Sequence, residues 1–116
     1  MGGAAVSNKY ILVNRKPVAV HDLHAWAKAF EKGADRVVKR ETVAPGVDVS
    51  TVFLGLDHSF GIGGPPLVFE TMVFGGVNDQ DMDRYSTWEE AEAGHVAMVE
   101  KVRHGLNASF VDVEAK

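Results

Sequence analysis

Among the ionisable residues of the most apolar stretch of the chain, VDVSTVFLGLDHSFGIGGPPLVFETMVFGG at 47–76, those placed to do chemistry are Asp57, His58 and Glu70. Two carboxylates and an imidazole at one end of a hairpin form a ligand set for a metal, or a donor–acceptor set for acid–base chemistry. Pairing through the loop at 59–66 sets Glu70 roughly opposite Gly55, where the missing side chain leaves room above the sheet. The plainer reading, and the preferred one, is that Asp57 and His58 cap the loop while Glu70 pairs with a cation. Structural ion pairs outnumber active sites.

His95 is the next candidate. Helical spacing sets it between Trp88 and Val99 on the face that meets the sheet, with Glu92 three residues earlier in reach of its ring. The expectation is a core histidine with one hydrogen-bond partner. Pointed into a cavity beside Glu70, it would instead be a ligand contact or a general base. Arg84, Tyr85 and Trp88 are residue types that dominate binding hot spots, and they cluster at a helix start, which also favours anions. Against this, Trp88 fits the core and Tyr85 fits a staple at the start of the helix.

Other patterns carry less. Asp79, Asp81, Asp83 and Glu90 have calcium-loop spacing, but Arg84 stands where the sharp turn demands Gly and Glu90 is required for helix capping. The loop GIGGPP matches neither the dinucleotide fingerprint nor the P-loop, and its prolines remove amide donors. A rigid hairpin loop is expected there. No metal or cofactor is assigned, and no catalytic constellation is complete.

These residues need positioning. Tyr10 to Val13 and Pro17 to Val20 read as short strands around an Asn14-Arg15-Lys16 turn. Asp22 starts a helix, DLHAWAKAFEK, with Leu23, Trp26, Ala27 and Phe30 on one face and Gly33 as its stop. Arg36 to Val43 reads as an edge strand, joined by a Pro45-Gly46 type II turn to Val49–Leu56. Leu67 to Phe74 repeats the apolar pattern. A second helix begins near Ser86 or Thr87, each with capping-box spacing to a Glu. Its stripe is Trp88, Ala91, His95, Met98, Val99, Val102 and Leu106, with Gly105 as the end and a short strand possible at 109–113.

The expected class is α+β, in the order ββαβββα: an antiparallel sheet of four to five strands with two helices on one face. The central strands are apolar on both faces, and two helices cover only one. A second subunit or a ligand is expected on the other, and a homo-oligomer is preferred.

Bulk properties bound the rest. At 116 residues the chain makes a single domain, expected over 9–116 after a mobile terminus at 1–8. A net charge of −4 argues against nucleic acid as a partner. The absence of cysteine excludes disulfides and thiolate chemistry. With no apolar run of membrane-spanning length and no signal-peptide pattern, a cytoplasmic location is expected and a membrane is not.

The stretches VSTVFLGLDH, GGPPLVFETMVFGG and RYSTWEEAEAGH resemble a family of short proteins encoded in tailed-phage and prophage genomes. The resemblance covers roughly residues 9–104 and brings no catalytic or binding residue with it. It implies a phage accessory protein acting inside a bacterial host cell. Combined with the residue reading, the expectation is a non-enzymatic, oligomeric binding protein. Such a protein would antagonise a host protein or sequester a small ligand such as a signalling nucleotide. The alternatives are a small enzyme using Asp57, His58, Glu70 and His95, or a virion structural component.

Overall fold

The apolar strands build a four-stranded antiparallel meander: β3 (Val37–Ala44), β4 (Val47–Phe53), β5 (Phe69–Phe74) and β6 (Met82–Tyr85), neighbours in space as in sequence. A separate hairpin, β1 (Lys9–Val13) with β2 (Lys16–Val20), comes first. Helix α1 (Leu23–Phe30) follows the hairpin, and helix α2 (Trp88–Glu114) closes the chain. The structure, a computed structural model, describes residues 7–31, 36–59 and 63–114. Residues 1–6, most of the terminus expected to be mobile, lie outside this set, as do Gly33, the expected stop of α1, and part of the GIGGPP loop.

The class is α+β and the order is ββαββββα. The added strand is β6, in a segment whose aspartates disfavour strand on propensity alone. Pairing overrides them: Phe69 faces Tyr85, Glu70 faces Arg84 and Met72 faces Met82. A second correction concerns α2, which passes through Gly105 and makes 109–113 helical rather than a strand. Gly105 is needed for a close approach instead, since a Cβ there would lie 2.2 Å from Asn78 Oδ1.

A third correction fixes the register. Glu70 lies opposite Val52, not Gly55. Strand β4 stops at Phe53 because Gly55 has a left-handed φ of +78°, and a Cβ on it would sit 1.8 Å from the Phe30 ring. From there β1 takes over the pairing. Tyr10 N–H donates to the Gly55 carbonyl at 2.8 Å, and Lys9 bridges to Leu56.

Residues directly opposite on antiparallel strands share a face. Val47, Val49, Thr51 and Phe53 therefore share one with Val73, Thr71 and Phe69, and all seven are buried. The expected stripe of α2 lies on it: Trp88, Ala91, His95, Met98, Val99 and Val102 are buried there. A Thr87–Glu90 capping box holds the start of α2, with Glu90 N–H donating to Thr87 Oγ1 at 3.0 Å and Thr87 N–H donating back to Glu90 Oε1 at 3.2 Å. Helix α1 joins the same apolar cluster at its Phe53 end. Phe30 stacks on Phe53 with centroids 6.2 Å apart, and Trp26 meets Phe30 edge-on at 4.9 Å. Trp26 also donates its indole N–H to the Gly55 carbonyl at 3.0 Å. Both helices serve one face. Among the described residues, no helix lies on the other.

Candidate functional site

His95 sits at the centre of the covered face and is 1% exposed. Its Nε2 lies 2.8 Å from Glu41 Oε1, and its Nδ1 lies 2.7 Å from Thr51 Oγ1. Thr51 Oγ1 in turn is 2.5 Å from Thr71 Oγ1. The expected partner Glu92 is exposed, and Glu41 from β3 takes its place. The hydrogen bond from His95 holds the Glu41 carboxyl below its usual range, against the opposing effect of partial burial, and the Lys39 ammonium acts in the same direction as His95. An ionised carboxylate only accepts, so Nε2 carries a proton. In the neutral tautomer Nδ1 then accepts from the Thr51 hydroxyl, which accepts from Thr71.

Carboxylate, imidazole and hydroxyl in series is the arrangement that activates a nucleophile. Here the hydroxyls are closed off. Thr51 and Thr71 are both 0% exposed, so no substrate reaches them. The series ties α2 to the middle of β4 and β5 and satisfies every polar atom it buries. Tyr85 lies beside it against the helix, where a Cβ on Gly94 would meet the phenol oxygen at 2.2 Å. Burial raises the Tyr85 phenol above its ordinary value, and nearby Asp83 adds to the rise.

Glu70 and His95 do not share a space. Glu70 pairs with Val52 and Arg84 across the strands, on the face opposite to Thr51, Thr71 and His95. Its Oε2 accepts from Arg84 Nε at 3.0 Å, the cation pairing expected on plainer grounds. Asp57 caps its loop. It accepts from Ser59 N–H at 2.8 Å, Ser59 Oγ at 3.0 Å and Leu67 N–H at 3.0 Å. Burial pushes the Asp57 carboxyl up, but these hydrogen bonds outweigh it and hold the group below its usual value. His58 Nδ1 lies 2.9 Å from the Leu56 carbonyl, and His58 and Arg84 line a shallow hollow of about 330 Å³.

Of the residues singled out in the sequence, Asp57, His58, Glu70 and Arg84 gather near one end of the open face. Tyr85, Trp88 and His95 belong to the covered one. Trp88 is core at 8% exposed, with the Arg15 guanidinium 4.9 Å from its ring. Asp79 accepts from Gly75 N–H at 2.7 Å, and Asp81 pairs with Lys101 at 2.9 Å. These two and Glu90 are thus engaged in a turn, a link to α2 and a helix cap. No group of three metal-ligating side chains occurs among the described residues.

Among the described residues, the open face is left without a covering element. Its rows read Thr42, Asp48, Phe74; then Arg40, Ser50, Met72, Met82; then Val37, Val52, Glu70, Arg84. Phe74 is 51%, Met82 40% and Val37 37% exposed, and Val52 and Met72 are half-buried. Both edges of the sheet resist strand addition. Edge strand β3 carries two register shifts, and edge strand β6 has only 4 residues. The face, rather than an edge, is the surface available for association. Sequence reasoning anticipated a doubly apolar sheet but missed Glu41, Thr51 and Thr71 as partners of His95. Thr51 and Thr71 are polar at the centres of apolar strands, and that was the available signal.

The chain matches no protein-family model, no curated protein and no solved structure.

Proposed function

We propose that this is a non-enzymatic binding protein that works as a homo-oligomer assembled through the open face of its sheet. The observation that carries the reading is the row of Met72 and Met82 beside Phe74, Val37 and Val52 on a face that no described helix covers. Its charges favour a second copy of the same chain. Arg40 and Arg84 are matched by Asp48 and Glu70, so the face is electrically balanced and can complement itself about a two-fold axis. No described helix is long and apolar enough to cross a membrane. The enzyme alternative loses its constellation, because Glu70 and His95 lie on opposite faces and the threonine hydroxyls are sealed. The resemblance to phage and prophage proteins supports an accessory role inside a bacterial cell, directed at a host protein or a small ligand.

Sedimentation equilibrium tests the assembly. The expected result is a dimer or higher oligomer at micromolar concentration that Phe74→Asp converts to monomer with unchanged far-ultraviolet circular dichroism. A wild-type monomer at 100-fold higher concentration, or a Phe74→Asp protein that stays oligomeric, overturns the reading.

A further inference from the structure

On the hairpin side of the sheet, beneath α1, the fold leaves a cavity of about 470 Å³. Ile11 and Leu12 of β1 form one wall, and Phe30 and Phe53 form an aromatic floor. The α1 residues on the other wall are Ala25 and Ala29, whose small side chains keep it open. The volume lies in the range that takes a small organic ligand.

Two cations, Lys28 and Arg36, line this apolar space. Arg36 Nε–H donates to the Phe53 carbonyl at 3.3 Å, and its guanidinium carbon lies 4.4 Å from the Phe30 ring centroid. That fixes the guanidinium against the aromatic floor while its terminal nitrogens make no hydrogen bond to a described residue. Neither Lys28 nor Arg36 forms an ion pair with a described carboxylate. In a chain where 16 acidic residues outnumber 12 basic ones, two cations facing one apolar cavity without an acid among the described residues form a charge pattern that an anion completes.

We propose that this cavity binds a small amphipathic anion, with an apolar body against Ile11, Leu12, Ala25 and Ala29 and an acidic head held by Lys28 and Arg36. The head is a planar or tetrahedral oxyanion, carboxylate, sulfonate or phosphate, because the guanidinium fork and the ammonium recognise their shared oxygen geometry. The site is independent of the open face and does not rest on oligomerisation.

Two fluorescent probes with a common body test it: 8-anilinonaphthalene-1-sulfonate, which carries an anionic head, and N-phenyl-1-naphthylamine, which does not. The sulfonate is expected to bind saturably, one per chain. Lys28→Glu, a change at an exposed helix position, should weaken the sulfonate about tenfold by turning an attraction into a repulsion. It should leave the neutral amine within about twofold. Ala29→Trp fills the cavity and should abolish binding of both probes with helix content intact. Phe74→Asp, on the open face, should change neither. The proposal is overturned if sulfonate binding is not saturable, if it survives both Lys28→Glu and Ala29→Trp unchanged, or if Phe74→Asp removes it. The last result would assign the probe to the open face, and sedimentation of the same variant reports separately on assembly.

Discussion

The two faces of the sheet invert a common expectation. The covered face has polar groups at its middle, Thr51, Thr71 and His95, yet it is closed. The open face has Met72 beside a buried Ser50 on its central strands, with Phe74 at the end of β5 and Met82 on edge strand β6, and the last two are exposed. Polarity alone does not mark the outside. Along the series from Glu41 to Thr71 each polar atom has a partner at every step, whereas Tyr85 Oη and Trp88 Nε1, buried beside it, have none among the described residues. On the open face the apolar side chains have no partner within the described chain. A satisfied polar centre reads as core, and an unsatisfied apolar centre reads as interface.

Removing the partners should expose this contrast most strongly at His95. His95→Ala leaves a cavity at the sheet centre and strips the Thr51 hydroxyl and Glu41 of their shared partner. A loss of about 3–5 kcal/mol in urea unfolding is expected, combining a large-to-small core change with an orphaned hydrogen bond. Met72→Ala on the open face, measured in the monomeric Phe74→Asp background, should cost about 1 kcal/mol or less, because its side chain is half in water. Equal losses at the two positions would break the comparison.

Gly55 tests the end of the covered face. Its positive φ and the Phe30 ring both exclude a side chain, so Gly55→Ala should cost about 2–4 kcal/mol and displace α1. The readout is unfolding together with near-ultraviolet circular dichroism of Trp26 and Phe30. A loss below about 1 kcal/mol would mean that α1 is not seated where Gly55 allows it.

Acid should act on two carboxylates, one beside His95 and one in the loop after β4. Glu41 and Asp57 both have folded-state pKa values depressed below their ordinary ones. For a depressed acid the stabilisation is present above the unfolded pKa, near about 4, and is lost as pH falls through the lower folded value. Unfolding midpoints should therefore fall below about pH 4. Glu41→Gln and Asp57→Asn should each start less stable at neutral pH and lose less on acidification. A variant that tracks the wild type across the whole acid range would remove its carboxylate from this account.

Much of this arrangement was legible beforehand, for identifiable reasons. The stripe of α2 repeats every three to four residues, and every one of its expected apolar members proved buried or packed against the core. The Thr87–Glu90 cap and the Pro45-Gly46 turn follow from local chemistry, and local chemistry survives folding. Besides the register of Glu70, which lies opposite Val52 and not Gly55, three features did not follow. Strand β6 is polar and depends on pairing with β5, which no window of sequence contains. Gly105 is not a helix stop: α2 runs through it, and a side chain there would meet Asn78 from another loop. The partner of His95 is Glu41, 54 residues away, while the nearer Glu92 points to solvent. Each miss concerns a contact between distant segments. The cavity under α1 is invisible for the same reason: Lys28 and Arg36 are brought to one space only when β1 and the sheet enclose it.

The smallest effect concerns the Glu70–Arg84 pair, and it bears on what the open face is for. The two lie directly across β5 and β6, with side chains 16% and 27% exposed and an Nε to Oε2 distance of 3.0 Å. In a monomer such a cross-strand pair is worth only about 0.2–1 kcal/mol, since water still reaches it. A double-mutant cycle with Glu70→Gln and Arg84→Gln in the Phe74→Asp background should return a coupling in that range. If the protein assembles through this face as proposed, the same pair is desolvated against a second copy, and the coupling should rise above about 1.5 kcal/mol. The increase arises only if the interface covers this row of the face. A coupling that stays the same in both backgrounds would move the contact toward Phe74 and the β3–β4 turn, away from the hollow beside His58.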